Sequence, residues 1–140
     1  MNVEIISIGD ELLIGQTVNT NASWIGQELS IIGARILKSI SISDQKEEIL
    51  NSLSNIDSKT DCVIITGGLG PTKDDITKHT LCEFFNTTLE IHEPTLDKIK
   101  SFFTLKNRPI LETNQQQAAL PKSCQILENN YGFHAADVPM

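Results

Sequence analysis

Aromatic residues are scarce in this chain of 140 residues, which has five phenylalanines, one tyrosine and one tryptophan. Positive charge is also in short supply, with 11 lysines and arginines against 18 acids and a net charge of −7. The bases are scattered: Lys73 and Lys78 flank a glycine-rich segment, Lys98 and Lys100 lie on a later helix candidate, and nowhere do aromatics alternate with a basic run. A protein that grips nucleic acid or an anionic membrane needs such a footprint, so neither partner is expected. Cysteine is limited to Cys62, Cys82 and Cys124, odd in number and widely spaced. That excludes a disulfide framework and a CxxC metal site, and buried, reduced thiols are expected. No apolar stretch nears the roughly 20 residues that span a bilayer. Met1 opens directly onto a strand-like run without a basic or apolar leader, so a cytoplasmic location is expected. His79, His92 and His134 show no metal-ligand spacing.

What is present suits a core: 39% of residues are hydrophobic, and the length fits a single domain over 1–140. Residues 3–8 are short, apolar and β-branched before Gly9, which predicts a central strand buried on both faces. Ala22, Ile25, Leu29 and Ile32 then recur at helical spacing, with Thr20 or Asn21 as the expected cap and Gly33 as the stop. Trp24 is expected to pack on this helix rather than to stack on a ligand. Asn19 and Asn21 offer amides at the helix start, where capping explains them equally well.

Ile36, Ile40 and Ile42 predict a second strand, and Asp44 with Glu47 has capping-box spacing before Ile49, Leu50 and Leu53. Residues 62–66 form a third strand, followed by a helix to about Phe85 with Ile76, Thr80, Leu81, Phe84 and Phe85 on one face. Three successive strand-helix units imply an α/β fold with a mostly parallel sheet and helices on both sides. Pro94 opens a helix carrying Leu96, Ile99, Phe102, Phe103 and Leu105, and Pro109 breaks it. A short helix over 112–120, a strand over 123–127 and a turn at 129–132 complete the expected elements.

The chemistry concentrates in Thr66, Gly67, Gly68, Leu69, Gly70, Pro71, Thr72, Lys73, Asp74 and Asp75, between the third strand and the next helix. Gly67, Gly68 and Gly70 can adopt positive φ and admit a ligand to the main chain, while the helix N-terminus directs free N–H groups and positive potential outward. The ligand implied carries phosphate. Asp74 and Asp75 would repel it unless a metal ion or a proton lies between them. The bland alternative is a turn with Thr72, Asp74 or Asp75 as a helix cap. Asp10 and Glu11 follow the first strand and would lie near Asp74 and Asp75 if the two strands are neighbours. Four such oxygen donors suit Mg²⁺ or Mn²⁺. A solvated acidic loop is the alternative for Asp10 and Glu11.

Residues 9–15 (GDELLIG), 19–21 (NTN) and 66–77 (TGGLGPTKDDIT) together resemble the N-terminal domain of the CinA family, the competence- and damage-inducible proteins. Residues 114–118 (NQQQA), Leu120, Pro121 and 129–132 (NNYG) continue the resemblance, which covers the chain to about residue 132. It implies a three-layer α/β/α domain of the molybdopterin-binding type found in MoaB and MogA proteins, often oligomeric. It also implies a metal-dependent ADP-ribose pyrophosphatase, with a divalent Mg, Mn or Co ion and a monovalent ion as a further candidate cofactor.

By position, Thr66, Gly67, Gly68 and Gly70 would cradle phosphate, Thr72 and Thr77 would hydrogen-bond it, and Asp74 and Asp75 would bind metal or orient water. Asp10 and Glu11 are further metal candidates. The nicotinamide mononucleotide deamidase of the family resides in a C-terminal amidase domain not expected within residues 1–140. After Gly132 the sequence departs from the family pattern, so the domain is expected to lack its last strand and helix, with marginal stability and weakened catalysis. Two other functions stay open: a module that binds a pterin or nucleotide phosphate without turnover, and a molybdopterin nucleotidyltransferase.

Overall fold

The computed structural model describes residues 1–70 and 76–127, and the backbone of 136–139. The chain forms two compact units, Met1–Gly68 and Leu69–Met140, whose boundary falls within the glycine segment.

The first unit holds β1 (Asn2–Ile8), α1 (Asp10–Leu13), α2 (Thr20–Ile31), β2 (Arg35–Ile42), α3 (Lys46–Ser54) and β3 (Cys62–Thr66). Its sheet is parallel throughout, in the order β2-β1-β3. β1 is central as expected: Val3 and Ile5 on one face and Ile6 and Ile8 on the other are all buried. Burial on both sides explains the unbroken apolar run. Ile42, Ile49 and Leu53 add to this core.

Glu4 lies inside the apolar strand with 1% exposure, a costly position for a carboxylate unless it is partnered. Its Oε1 accepts hydrogen bonds from the Asp57 backbone N–H at 2.9 Å and the Thr60 hydroxyl at 2.6 Å, and Lys38 Nζ lies 3.9 Å from its other oxygen. These bonds tie the loop before β3 to the middle of the sheet.

Two expected caps give way to others. Asn19 caps α2 by accepting the Ala22 N–H at 3.0 Å, in place of Thr20 or Asn21. α3 starts after Gln45 with no side-chain cap, so the Asp44–Glu47 box does not form. Gly33, at φ 81°, ends α2 as expected: its N–H bonds Ser30 O at 3.0 Å and the Ala34 N–H bonds Leu29 O at 2.9 Å. The face predicted for α2 is only partly right, because Ile32 is exposed, and Trp24, expected to pack, is 63% exposed.

The second unit holds α4 (Thr77–Phe84), β4 (Leu89–Ile91), α5 (Glu93–Leu105), α6 (Glu112–Gln116), β5 (Ala119–Pro121), β6 (Cys124–Leu127) and β7 (Ala136–Pro139). β4 pairs antiparallel with β5, and β6 with β7. The helix expected over 112–120 stops at Gln116, and its last residues pair instead with β4, a strand too short to announce itself. Of the face expected on α4 Thr80 is buried, but Thr77 and Cys82 join it rather than Phe84 and Phe85, which are 40% and 43% exposed. A buried threonine is tolerated because Thr80 Oγ1 donates to Ile76 O at 3.0 Å. Leu96, Ile99 and Ala118 form this unit's core, with Phe103 packed against it. Cys82 is buried, whereas Cys62 and Cys124 are only half-buried, less than expected of all three, and none is in a disulfide. The turn expected at 129–132 lies outside the described residues.

Candidate functional site

Parallel strands deliver their carboxyl ends to one edge of a sheet, and here β1 and β3 are direct neighbours. Ser7 stands in register with Ser41 of β2 on one side and Thr66 of β3 on the other. Paired residues on parallel strands project from the same face, so each strand ends with a hydroxyl in one row. Thr66 Oγ1 donates to Ser7 Oγ at 3.3 Å. Asn19 Nδ2 donates to Ser41 Oγ at 3.3 Å while its Oδ1 caps α2, so one side chain fixes the helix start against the row. The glycine segment drew attention away from Ser7 and Ser41. The signal that could have found them is the repeated hydroxyl one residue before each of the first two strands ends.

The turn after β3 is held close to the end of β1. Gly67 has φ 95° and Gly68 φ 60°, the left-handed region where glycine carries no Cβ penalty. A Cβ on Gly67 would overlap the Ile8 carbonyl oxygen, so the backbone of one loop rests directly on the backbone of the other. Asp10 and Glu11 begin α1 just beyond that contact, both exposed, with the Glu11 carboxylate folded back over Gly9. The fold thus seats Gly67 on the end of β1, just before Asp10 and Glu11 in the chain, while α1, which those two acids begin, packs on β2.

Gly70 is half-buried and Thr77 is 1% exposed at the first position of α4; both belong to the second unit. Thr72, Asp74 and Asp75 lie outside the described residues. Among the described residues no group of three or more His, Cys, Asp or Glu is placed to hold a metal ion. Asp10 and Glu11 alone supply two accessible carboxylates, a donor chemistry that fits a hard divalent cation but does not complete a coordination shell.

The sequence profile of the family described as a probable molybdopterin binding domain matches residues 4–126. A CinA-like protein from Flavobacterium psychrophilum is 48% identical over 136 residues, 94% of this chain and 32% of its own length. One from Cytophaga hutchinsonii is 42% identical over 129 residues, 92% of this chain and 31% of its own. The chain therefore spans about a third of the length of these relatives. The crystal structure of a CinA protein of unknown function from Thermoplasma acidophilum superposes with a TM-score of 0.83 at 32% identity, covering 99% of this chain and 80% of that one. MoaB from Pyrococcus furiosus, a tungsten cofactor synthesizing protein, shares the fold at a TM-score of 0.57 and 20% identity, over 92% of this chain and 74% of its own. The α/β fold with its parallel sheet and the match over most of the chain agree: this chain belongs to the molybdopterin-binding domain family and, within it, to the CinA proteins.

Proposed function

We propose that this domain binds a phosphorylated small molecule at the carboxyl end of its parallel sheet and hydrolyses a pyrophosphate such as that of ADP-ribose. The observation that supports the proposal is the seat of Gly67 on the Ile8 carbonyl: a positive-φ glycine turn lies against the end of β1, just before Asp10 and Glu11 in the chain. Main-chain N–H groups of glycine turns bind phosphate oxygens and would stabilise negative charge developing on phosphorus. Thr66, Gly68, Gly70, Thr72 and Thr77 would extend the cradle. Asp10, Glu11, Asp74 and Asp75 would hold a divalent Mg, Mn or Co ion, which when bound supplies Lewis-acid activation of water. The task left to Asp74 and Asp75 is to orient the attacking water.

A second reading, a pterin- or nucleotide-binding module without turnover, is favoured by the description of the family as molybdopterin-binding. Incubation of the chain with ADP-ribose and Mg²⁺, Mn²⁺ or Co²⁺ separates the two. Release of AMP and ribose phosphate, reduced about a hundredfold or more by Asp74→Asn or Asp75→Asn, is the expected result. Saturable binding of ADP-ribose with no product in any metal would establish the module and overturn hydrolysis.

A further inference from the structure

α2 lies along a parallel sheet and yet buries none of its 12 residues. Strands of a parallel sheet that face a helix ordinarily present unbroken aliphatic surface, as β1 does here. β2 departs from that rule. In register with Ile5 and Ser7 of β1, it places Ser39 and Ser41 on the face turned toward α2. Helix and sheet stand apart, and a groove of about 860 Å³ runs between them, with Ser39 exposed within it. That volume suits a small molecule, whose sites run from roughly 300 to 1,000 Å³.

The lining defines the chemistry. Among the described residues, none that lines the groove carries a charge. A phosphate or an ammonium would find no counter-ion there, so the groove suits an uncharged group. Ile5 and Ile36 offer aliphatic surface to a ring, and hydroxyls and amides stand around it. Asn19 and Ser41 bond each other, but Ser23, Gln27 and Ser39 have no side-chain hydrogen-bond partner among the described residues. The amide of Gln27 carries a donor and an acceptor side by side, the pair that matches the N6 and N7 edge of adenine. At Gly26, in the helix interior, a Cβ would meet nothing within 4 Å, which leaves room for a flat ring to approach the helix backbone.

One end of the groove belongs to the edge of the sheet where the glycine turn sits. Ser41 lines the groove and stands in the hydroxyl row that continues through Ser7 to Thr66, the residue before Gly67. From Ser41 back to Ile36 the floor extends about 16 Å along β2, room for a ribose and a base in sequence.

We infer that this groove is the nucleoside subsite of the phosphate-binding site, taking the adenosine half of a nucleoside diphosphate compound with its base at Gly26 and Gln27 and its ribose at Ser39 and Ser41. The inference rests on the phosphate-binding reading of the glycine turn, which sets the charged end of the ligand beyond Ser7 and Thr66.

Two probes separate the inference from that reading. Adenosine has no phosphate and reports on the groove alone, whereas inorganic pyrophosphate has no nucleoside and reports on the glycine turn alone. Titration of the 140-residue chain in Mg²⁺, followed by the NMR shifts of the Ser23, Gly26 and Ser39 amides, should show saturable binding of adenosine. Inosine, which lacks the exocyclic amino group, should bind about tenfold more weakly, and Gln27→Ala should remove that preference. Gly26→Leu extends into space that is open in the chain, so it should preserve the circular dichroism spectrum. It should weaken adenosine and ADP-ribose about tenfold or more while leaving pyrophosphate affinity unchanged. Adenosine binding that Gly26→Leu abolishes, in a chain that does not bind pyrophosphate at all, would uphold the groove and refute the glycine turn as the phosphate seat. No saturable adenosine binding, shifts confined to residues outside the groove, or an ADP-ribose affinity unmoved by Gly26→Leu would each overturn the inference.

Discussion

Gly67 and Gly33 both hold φ in the left-handed region, at 95° and 81°, but their surroundings separate two costs. At Gly33 an added Cβ meets nothing within 4 Å, so Gly33→Ala bears only the conformational penalty, about 1–2 kcal/mol. At Gly67 the same methyl also overlaps the Ile8 carbonyl oxygen, and a backbone group cannot swing aside as a side chain does. Gly67→Ala should therefore destabilise the chain by about 2–5 kcal/mol and displace the turn from the end of β1. Urea denaturation of the two variants measures the difference, and equal losses would show that the loop-on-loop contact carries no weight. Glu4 illustrates the opposite case at this scale. Its burial follows from partners in a loop more than 50 residues away, and nothing adjacent to it in sequence announces them.

At the scale of elements, the parallel sheet was legible because β-branched apolar runs and glycine punctuation are local signals. The adjacency of β1 and β3, which seats the glycine turn on the end of β1, does not follow from local signals, since strand order is a tertiary property. Helix phase was less legible. Thr80 lies inward as expected, permitted by its bond to Ile76 O, but α4 turns Thr77 and Cys82 inward with it and leaves Phe84 and Phe85 outside, a choice made by packing. Helix ends hid a further regularity. Asn86 and Asn107, at φ 50° and 49°, close α4 and α5 with the same paired bonds that Gly33 gives α2. Asparagine tolerates that conformation but also serves in turns and caps, so its presence does not single out the site.

The β4–β5 pair carries the clearest pH signature. Lys122 Nζ lies 2.8 Å from Glu90 Oε1, and this hydrogen bond, with the charge of Glu90 as the lesser cause, raises the lysine above its ordinary 10.5. A group raised on folding contributes stability that is complete below its unfolded value and disappears as pH climbs through the folded one. Any contribution is thus constant through neutrality and fades only above 10.5. Both side chains are well exposed, so water and salt screen the pair. Titration of the Lys122 side chain by NMR should give a midpoint above 10.5 that falls toward it in Glu90→Gln. An unchanged midpoint in that variant would remove Glu90 as the cause.

For the whole molecule, charge and the proposed ligand oppose each other. The chain carries a net charge of −7 and a phosphorylated ligand is itself anionic, so the long-range field works against the encounter and attraction has to come locally, from main-chain N–H groups and a bound divalent ion. The Debye length falls from about 10 Å at 0.1 M salt to about 3 Å at 1 M, which screens the body of the protein more than the groups that touch the ligand. Raising sodium chloride over that range should therefore leave the affinity for ADP-ribose in Mg²⁺ largely intact, whereas a site that relied on the scattered basic residues would lose affinity steadily. Isothermal titration calorimetry across the salt series decides between the two, and steady weakening would mean that basic side chains, not the main chain of the glycine turn, hold the phosphates.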